Sequence, residues 1–188
     1  MKKIIWDNIQ RIARWELFWS NLGLLDVDFS DIKIHNISGY YPLVMPGKIS
    51  EENIYEMVIE VIPSLKCSGS TKDLNEKMKS VRRKSRGESY VIYVAENSYP
   101  ASRRLINVLK YPSTTFSEEL IYISKKIIDG GRINGFLKNP VLCPSSMIDG
   151  RFFPVFRKNG KDPVCGWRGR LLEEGCYSKE SVRRVILP

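Results

Sequence analysis

One histidine, His35, is all the imidazole the chain has. That scarcity removes the H-E-x-x-H zinc hydrolases outright. It also leaves a cysteine or serine nucleophile with a single candidate base, far away in sequence. Close cysteine pairs are missing too. Cys67, Cys143, Cys165 and Cys176 are separated by 76, 22 and 11 positions, whereas a structural zinc site draws two ligands from one turn to limit the entropy of closing its tetrahedron. We therefore expect no metal and no cofactor. With 188 residues, 43% of them apolar, the chain has a core large enough to fold without staples, so all four cysteines are expected as free thiols, Cys143 and Cys165 buried near a C-terminal sheet.

Long apolar runs are absent as well. Asp7, Arg11, Arg14 and Glu16 interrupt the hydrophobic stretch near the N-terminus, so no membrane span is expected there. The opening "MKKIIWDNIQRIARW" imitates the basic region of a signal peptide but lacks an unbroken apolar segment and a small-residue cleavage site, which points to a cytoplasmic protein. A P-loop, G-x-G-x-x-G, the deaminase signature and a nuclease-like acidic strand with a nearby lysine are all missing.

What the chain has in excess is positive charge: +9 at neutral pH, with a pI near 9.4. Residues 1–70 carry a net −2, residues 71–110 a net +6 and residues 111–188 a net +5. The stretch "KMKSVRRKSRG" concentrates Lys79, Arg82, Arg83, Lys84 and Arg86, and Arg103 and Arg104 follow. A cluster of this kind is the electrostatic footprint of a polyanion-binding surface. Tyr90, Tyr93 and Tyr99 lie close by in sequence as stacking platforms. The competing reading makes the basic run a solvated face and the tyrosines core.

Periodicity supplies the elements. Ile5, Ile9, Ile12 and Ala13, with Trp6, Trp15 and Trp19, predict a helix from Ile4 to Trp19. "DIKIHNI" alternates like a half-buried strand, while Pro42 and Pro46 make "GYYPLVMPGK" extended or looped. Ser50 caps a helix that Pro63 stops, and Leu74, Met78 and Val81 mark a short basic helix or loop. "SYVIYVA" is a central strand closed by Glu96, and "PASRRLINVLK" opens a helix with Pro100 in its first turn. Thr115 and Glu118 make a capping box for a helix that Gly130 and Gly131 end. From Val141 onward, apolar runs separated by Asp-Gly and Asn-Gly turns predict antiparallel strands.

The stretch "LCPSSMIDGRFFPVF" is the best place to look for catalysis. Cys143, Ser145 and Ser146 have no local base and no G-x-S-x-G elbow. Glu96 and Asp149 could join His35 in a pocket, but a strand-end Glu and an Asp-Gly pair read first as a cap and a hairpin turn. No catalytic residue is assigned. Leu142, Cys143, Ser145, Asp149, Gly150, Pro154 and Val155, after a helix ending in Gly-Gly, resemble the C-terminal region of a group of uncharacterised bacterial proteins over about residues 115–165. That group shares the form L-C-x-x-S-x-x-x-D-G-x-x-P; here Pro144 precedes Ser145 and Ser146 follows it. The resemblance implies a related fold and no reaction.

The sequence thus predicts an α+β protein of one domain over residues 1–188, with a soft boundary near 66–88 and a β-rich part over 141–188. Its helices fall mainly in the first two thirds and its antiparallel sheet mainly in the last. Functionally it reads as a non-catalytic basic module for a polyanionic partner such as nucleic acid. The alternatives are a protein-interaction or regulatory domain and an enzyme acting on a nucleic-acid or phosphorylated substrate.

Overall fold

The computed structural model describes residues 2–47, 49–67, 78–80, 88–101, 112–148, 152–169 and 180–186. Helix α1 (Lys2–Asn21) sets Trp15 and Trp19 against β1 (Tyr40–Met45), an edge of a three-stranded sheet completed by β3 (Tyr90–Ala95) in the centre and β10 (Val185–Ile186). A seven-stranded sheet is built from β2 (Met78–Ser80), β4 (Tyr99–Pro100), β5 (Val141–Leu142), β6 (Ser146–Ile148), β7 (Phe152–Asn159), β8 (Asp162–Gly169) and β9 (Ser181–Val182). Helices α2 (Glu51–Val61), α3 (Phe116–Ile128) and the single turn α4 (Ile133–Phe136) complete an α+β fold. One buried cluster runs from Trp15, Phe18 and Trp19 through Leu43, Ile92 and Leu120 to Val141, Phe156 and Cys165.

Several elements follow directly from their residues. Ser50 accepts the Asn53 amide and caps α2. The capping box of α3 is complete, Thr115 and Glu118 each bonding the other's backbone amide. At the opposite end Gly130, at φ +78°, lets its own amide reach Ile127 O while the Gly131 amide reaches Lys126 O. This is the Schellman closure that a left-handed glycine permits. "SYVIYVA" forms β3 as predicted, with Val91 and Ile92 buried. Gly160 and Lys161 turn the β7–β8 hairpin, one position beyond the expected Asn-Gly pair, with Gly160 at φ +63°; Phe156 faces Cys165 and Asn159 faces Asp162.

Other expectations are corrected. "DIKIHNI" is extended and buries Ile32 and Ile34, yet it joins no ladder. Side chains take part of its backbone: Asn8 donates to Ile32 O and accepts from Ile34 N, and the His35 amide donates to the Tyr93 hydroxyl. One asparagine of α1 thereby replaces a neighbouring strand. "GYYPLVM" is a strand despite Pro42, because β1 is an edge. Glu96 N bonds Gly39 O, and Val44 O is taken by the Trp19 indole. The alternation of the ladder therefore turns Pro42 away from β3, where a missing N–H costs no sheet bond.

Residues 78–80, expected as helix or loop, pair with β6 as strand β2. Pro100, expected in a first helical turn, lies in β4 paired with β9; residues 102–111 are outside the described residues. The large sheet is also not purely antiparallel, since β5 runs parallel to β9, and β10 leaves it to pair with β3.

The cysteine expectation fails for one pair. Cys67 and Cys165 form a disulfide with Cα atoms 4.8 Å apart. The turn Pro63–Leu65 after α2 packs on β8 and delivers Cys67 there, its amide held by the Tyr55 hydroxyl at 2.7 Å. Spacing in the sequence, 98 positions, carried no hint of this contact. Cys143 is a free, buried thiol as expected, and Cys176 lies outside the described residues.

Candidate functional site

The stretch around Cys143 resolves into structure rather than an exposed reactive loop. Cys143 is fully buried, and that burial, reinforced by the Glu119 carboxylate, pushes its thiol well above the usual range, so it stays protonated and unreactive at neutral pH. His35 lies at solvent. Ser146 accepts the amide of Phe116 at 2.8 Å and thereby helps cap α3, while Ser145 donates to Ser113 O at 2.9 Å. Ile148 pairs with Phe152, so residues 149–151 link adjacent antiparallel strands; the Asp149-Gly150 conformation itself lies outside the described residues.

Beside this segment sits the most polar part of the core. Arg183, wholly buried, donates Nε to both Glu119 carboxylate oxygens at 3.1 Å. Its Nη1 reaches Ala95 O and Glu96 O, and its Nη2 reaches Phe136 O at 2.7 Å. The guanidinium also lies 4.2 Å from the centre of the Tyr122 ring. Each of its three nitrogens is engaged by the protein, so the pair ties β3, α3, α4 and the β9–β10 link together and offers nothing to a ligand.

Glu96 uses its carbonyl on Arg183 and its carboxylate on Lys126 at 3.4 Å. A cleft of about 330 Å³ opens elsewhere, lined by Leu24, Asp26, Val27, Pro46, Ile49 and Met57 among others, and contains neither Glu96 nor His35. Among the described residues no group of three or more His, Cys, Asp or Glu side chains gathers at a spacing suited to a metal ion.

The predicted basic footprint lies mostly outside the described residues: Arg82, Arg83, Lys84, Arg86, Arg103 and Arg104 all do. Lys79 has its backbone in β2, opposite Met147. The tyrosines next to that segment are not a set of platforms. Tyr93 is 3% exposed with its hydroxyl taken by the His35 amide, Tyr90 packs half-buried against the core, and only Tyr99 is exposed, with the Arg184 guanidinium over its ring at 4.7 Å. Burial in the central strand explains why sequence proximity to basic residues misled here.

A second basic surface does emerge among the described residues. At the end of the β7–β8 hairpin residues 157–162 are all exposed, while Pro163, across from Lys158, is buried. Arg157 and Lys158 fall on opposite faces of the ribbon because successive strand residues alternate, and Lys161 sits in the turn. Lys158 Nζ donates to Asn134 at 2.8 Å and so brings α4 alongside the hairpin. That turn carries exposed Arg132 two residues before Asn134, and exposed Lys138 follows it. The pairing of Val141 with Phe156 runs the chain before β5 back along β7 toward the same end.

Arg132, Lys138, Arg157 and Lys161 have no ion-pair partner among the described residues. Asp162 is the acidic member of the hairpin tip, and Asp129, just before Gly130, is already engaged by Lys125 at 2.6 Å. Its cations come from two separated segments, so no single stretch of the sequence marks this surface. The local signal was "RKNGK", cations on both sides of a hairpin turn.

No family model matches the chain, and no curated protein or solved structure proves similar to it. The bacterial pattern also fits loosely, since one residue separates Cys143 from Ser145 and three separate Gly150 from Pro154.

Proposed function

We propose that this chain is a non-catalytic basic module that binds a polyanion, nucleic acid foremost. The observation that carries the reading is the set of exposed cations Arg132, Lys138, Arg157, Lys158 and Lys161 at one end of the fold. Holding like charges together in solvent costs self-repulsion, and a polyanion recovers that cost by releasing its condensed counterions on contact. The basic residues Lys79, Arg82, Arg83, Lys84, Arg86, Arg103 and Arg104 belong to the same proposal as further phosphate contacts.

Fluorescence anisotropy on a labelled random-sequence DNA, titrated with sodium chloride, tests it. Affinity should fall steeply with salt, and replacing Arg82, Arg83 and Lys84 together should flatten the log–log slope by about two to three units, at roughly 0.9 per duplex phosphate contact. A shallow slope that neither basic set alters sinks the reading.

A second reading, a protein-interaction domain, is favoured by α1, where Ile9 and Leu17 are 53% and 61% exposed and fall with exposed Ala13 on the face away from the core. Mass measurement by light scattering at rising concentration, on the parent and on Leu17→Glu, tests for self-association through that face. A mass that is constant in both removes a second copy of the chain as its partner.

We place the module in the cytoplasm as part of the same proposal, where thiols are kept reduced. Cys67 and Cys165 would be adjacent thiols there, and blocking free thiols in intact cells before lysis, followed by mass measurement, decides the point. A bridged pair relocates the protein to an oxidising compartment.

A further inference from the structure

We propose that the cleft beside α2 is a binding site for a small amphiphilic amine, an apolar body that ends in an ammonium group. The proposal is independent of the polyanion reading and concerns a surface of the opposite sign. Its first ground is shape. The cleft holds about 330 Å³, room for roughly eleven waters at about 30 Å³ each, or for a ligand of about as many non-hydrogen atoms. That is the lower end of the range of small-molecule sites, about 300–1,000 Å³. Four segments wall it: the turn after α1, the chain just past β1, the start of α2 and Ser89 before β3.

The second ground is the lining. Leu24, Val27, Ile49 and Met57 pack on the core with one side and line the cleft with another. An apolar body seated there extends the core and frees water from both surfaces. The walls are set before a ligand arrives. The Leu24 amide donates to Trp19 O at 2.9 Å, Asp28 accepts the Ser30 amide at 2.8 Å, and Gly47 runs so close to Glu88 that a Cβ on it would strike the Glu88 backbone. Walls fixed in this way spare the ligand the cost of ordering them.

The third ground is charge. The chain carries +9, yet no described residue that lines the cleft is basic and two are acidic, Asp26 and Asp28. Neither has an ion-pair partner among the described residues. The Ser30 backbone amide, and after it the Ser30 hydroxyl, hold the Asp28 carboxyl below the usual range, so it is ionised at neutral pH. Asn53, four positions before Met57 on α2, adds an amide oxygen that can accept from the same ammonium group. Both carboxylates are exposed, so their attraction is modest and screened by salt; they select the sign of the ligand, and the apolar walls supply most of the affinity. Lys48, between Gly47 and Ile49 in the chain, lies outside the described residues, and the ligand's sign is therefore tested directly.

Amide-resolved NMR titration of the whole chain with phenylbutylamine, phenylbutanol and phenylbutyrate tests the proposal, since the three share one apolar body and differ in the charge of the end group. The amine should shift the amides of Val27, Asn53 and Met57 saturably and bind about tenfold more tightly than the alcohol, with the carboxylate weaker than either. Asp26→Asn together with Asp28→Asn should remove the amine's advantage and leave the alcohol's binding within about twofold. Asn53→Trp, which brings a large ring into the cleft from an exposed helix position, should weaken amine and alcohol alike by about tenfold or more. Amine binding no tighter than carboxylate binding, shifts confined to other surfaces, or an advantage that survives in the double asparagine variant overturns the proposal. So does a leucyl-lysine peptide that shifts these amides where the free amine does not, an outcome that makes the cleft a protein-docking site. Should Asn53→Trp lose its fold, the double asparagine variant, whose side chains keep their size, decides the matter.

Discussion

Arg183 illustrates how much one buried charge can hold. Its guanidinium meets Glu119, three carbonyl oxygens and the Tyr122 ring, and Thr114 closes the network by donating to Glu119 at 3.0 Å. Arg183→Ala should cost about 3–5 kcal/mol, because it leaves the buried Glu119 carboxylate without its countercharge and removes the guanidinium's hydrogen bonds to three carbonyls. Adding Glu119→Leu should recover part of that loss, since the stranded charge goes with it. Urea melts of the two variants check the order; a double variant less stable than Arg183→Ala contradicts it.

Tyr122 gives a prediction in pH. Burial raises its hydroxyl to about 12 and Glu119 adds to the effect, against the opposing pull of Arg183; Tyr41 is raised likewise, by burial and then by Asp129. A tyrosine whose folded value exceeds its unfolded value of about 10 keeps the folded state more protonated between the two. Its contribution is complete below pH 10 and is lost as pH rises through 12. Tyrosinate absorbance should therefore show a late class that ionises together with unfolding, and a single transition near pH 10 in the folded protein would contradict it.

Among the elements, α3 is the one whose two ends can be tested separately. Thr115→Ala removes the side chain that accepts the Glu118 amide and should cost about 1 kcal/mol. Gly130→Ala forces a Cβ into the left-handed region and should cost about 1 kcal/mol as well. Gly135, in α4, has an ordinary backbone and open space where a methyl would project, so Gly135→Ala should be neutral or slightly stabilising. Thermal melts of the three rank them, and equal losses at both glycines would refute the conformational argument. These ends were readable in advance because a cap is local: Thr115 and Glu118 are three positions apart, and Gly130 follows the last apolar residue. The extended segment at Ile32 was half readable. Alternation identified its buried face, but nothing in it foretold that Asn8 would stand in for a strand.

For the whole molecule, Cys67–Cys165 is a long-range tie wherever the pair is oxidised. It closes a loop of 98 positions, which in the chain-entropy account is worth about 4–5 kcal/mol through the unfolded state. Cys67→Ser with Cys165→Ser should cost about 2–5 kcal/mol of stability in a denaturant melt, while reducing agent should act on the parent and leave the double variant unchanged. Equal response of both to reductant would place the effect elsewhere.

The α+β class, the caps of α2 and α3, the β3 strand and, to within one position, the β7–β8 hairpin turn are marked by residues close together in the chain, and local spacing reports them. Partners far apart in the chain are another matter. The parallel β5–β9 pair, the move of β10 to the small sheet, the Arg183–Glu119 bond across 64 positions and the disulfide depend on which surfaces meet after collapse. The basic end belongs with them, for the segment carrying Arg132 and Lys138 comes to the β7–β8 hairpin only through the bond of Lys158 to Asn134 in α4. Periodicity reports which face of an element is buried; it carries no record of what the face is buried against.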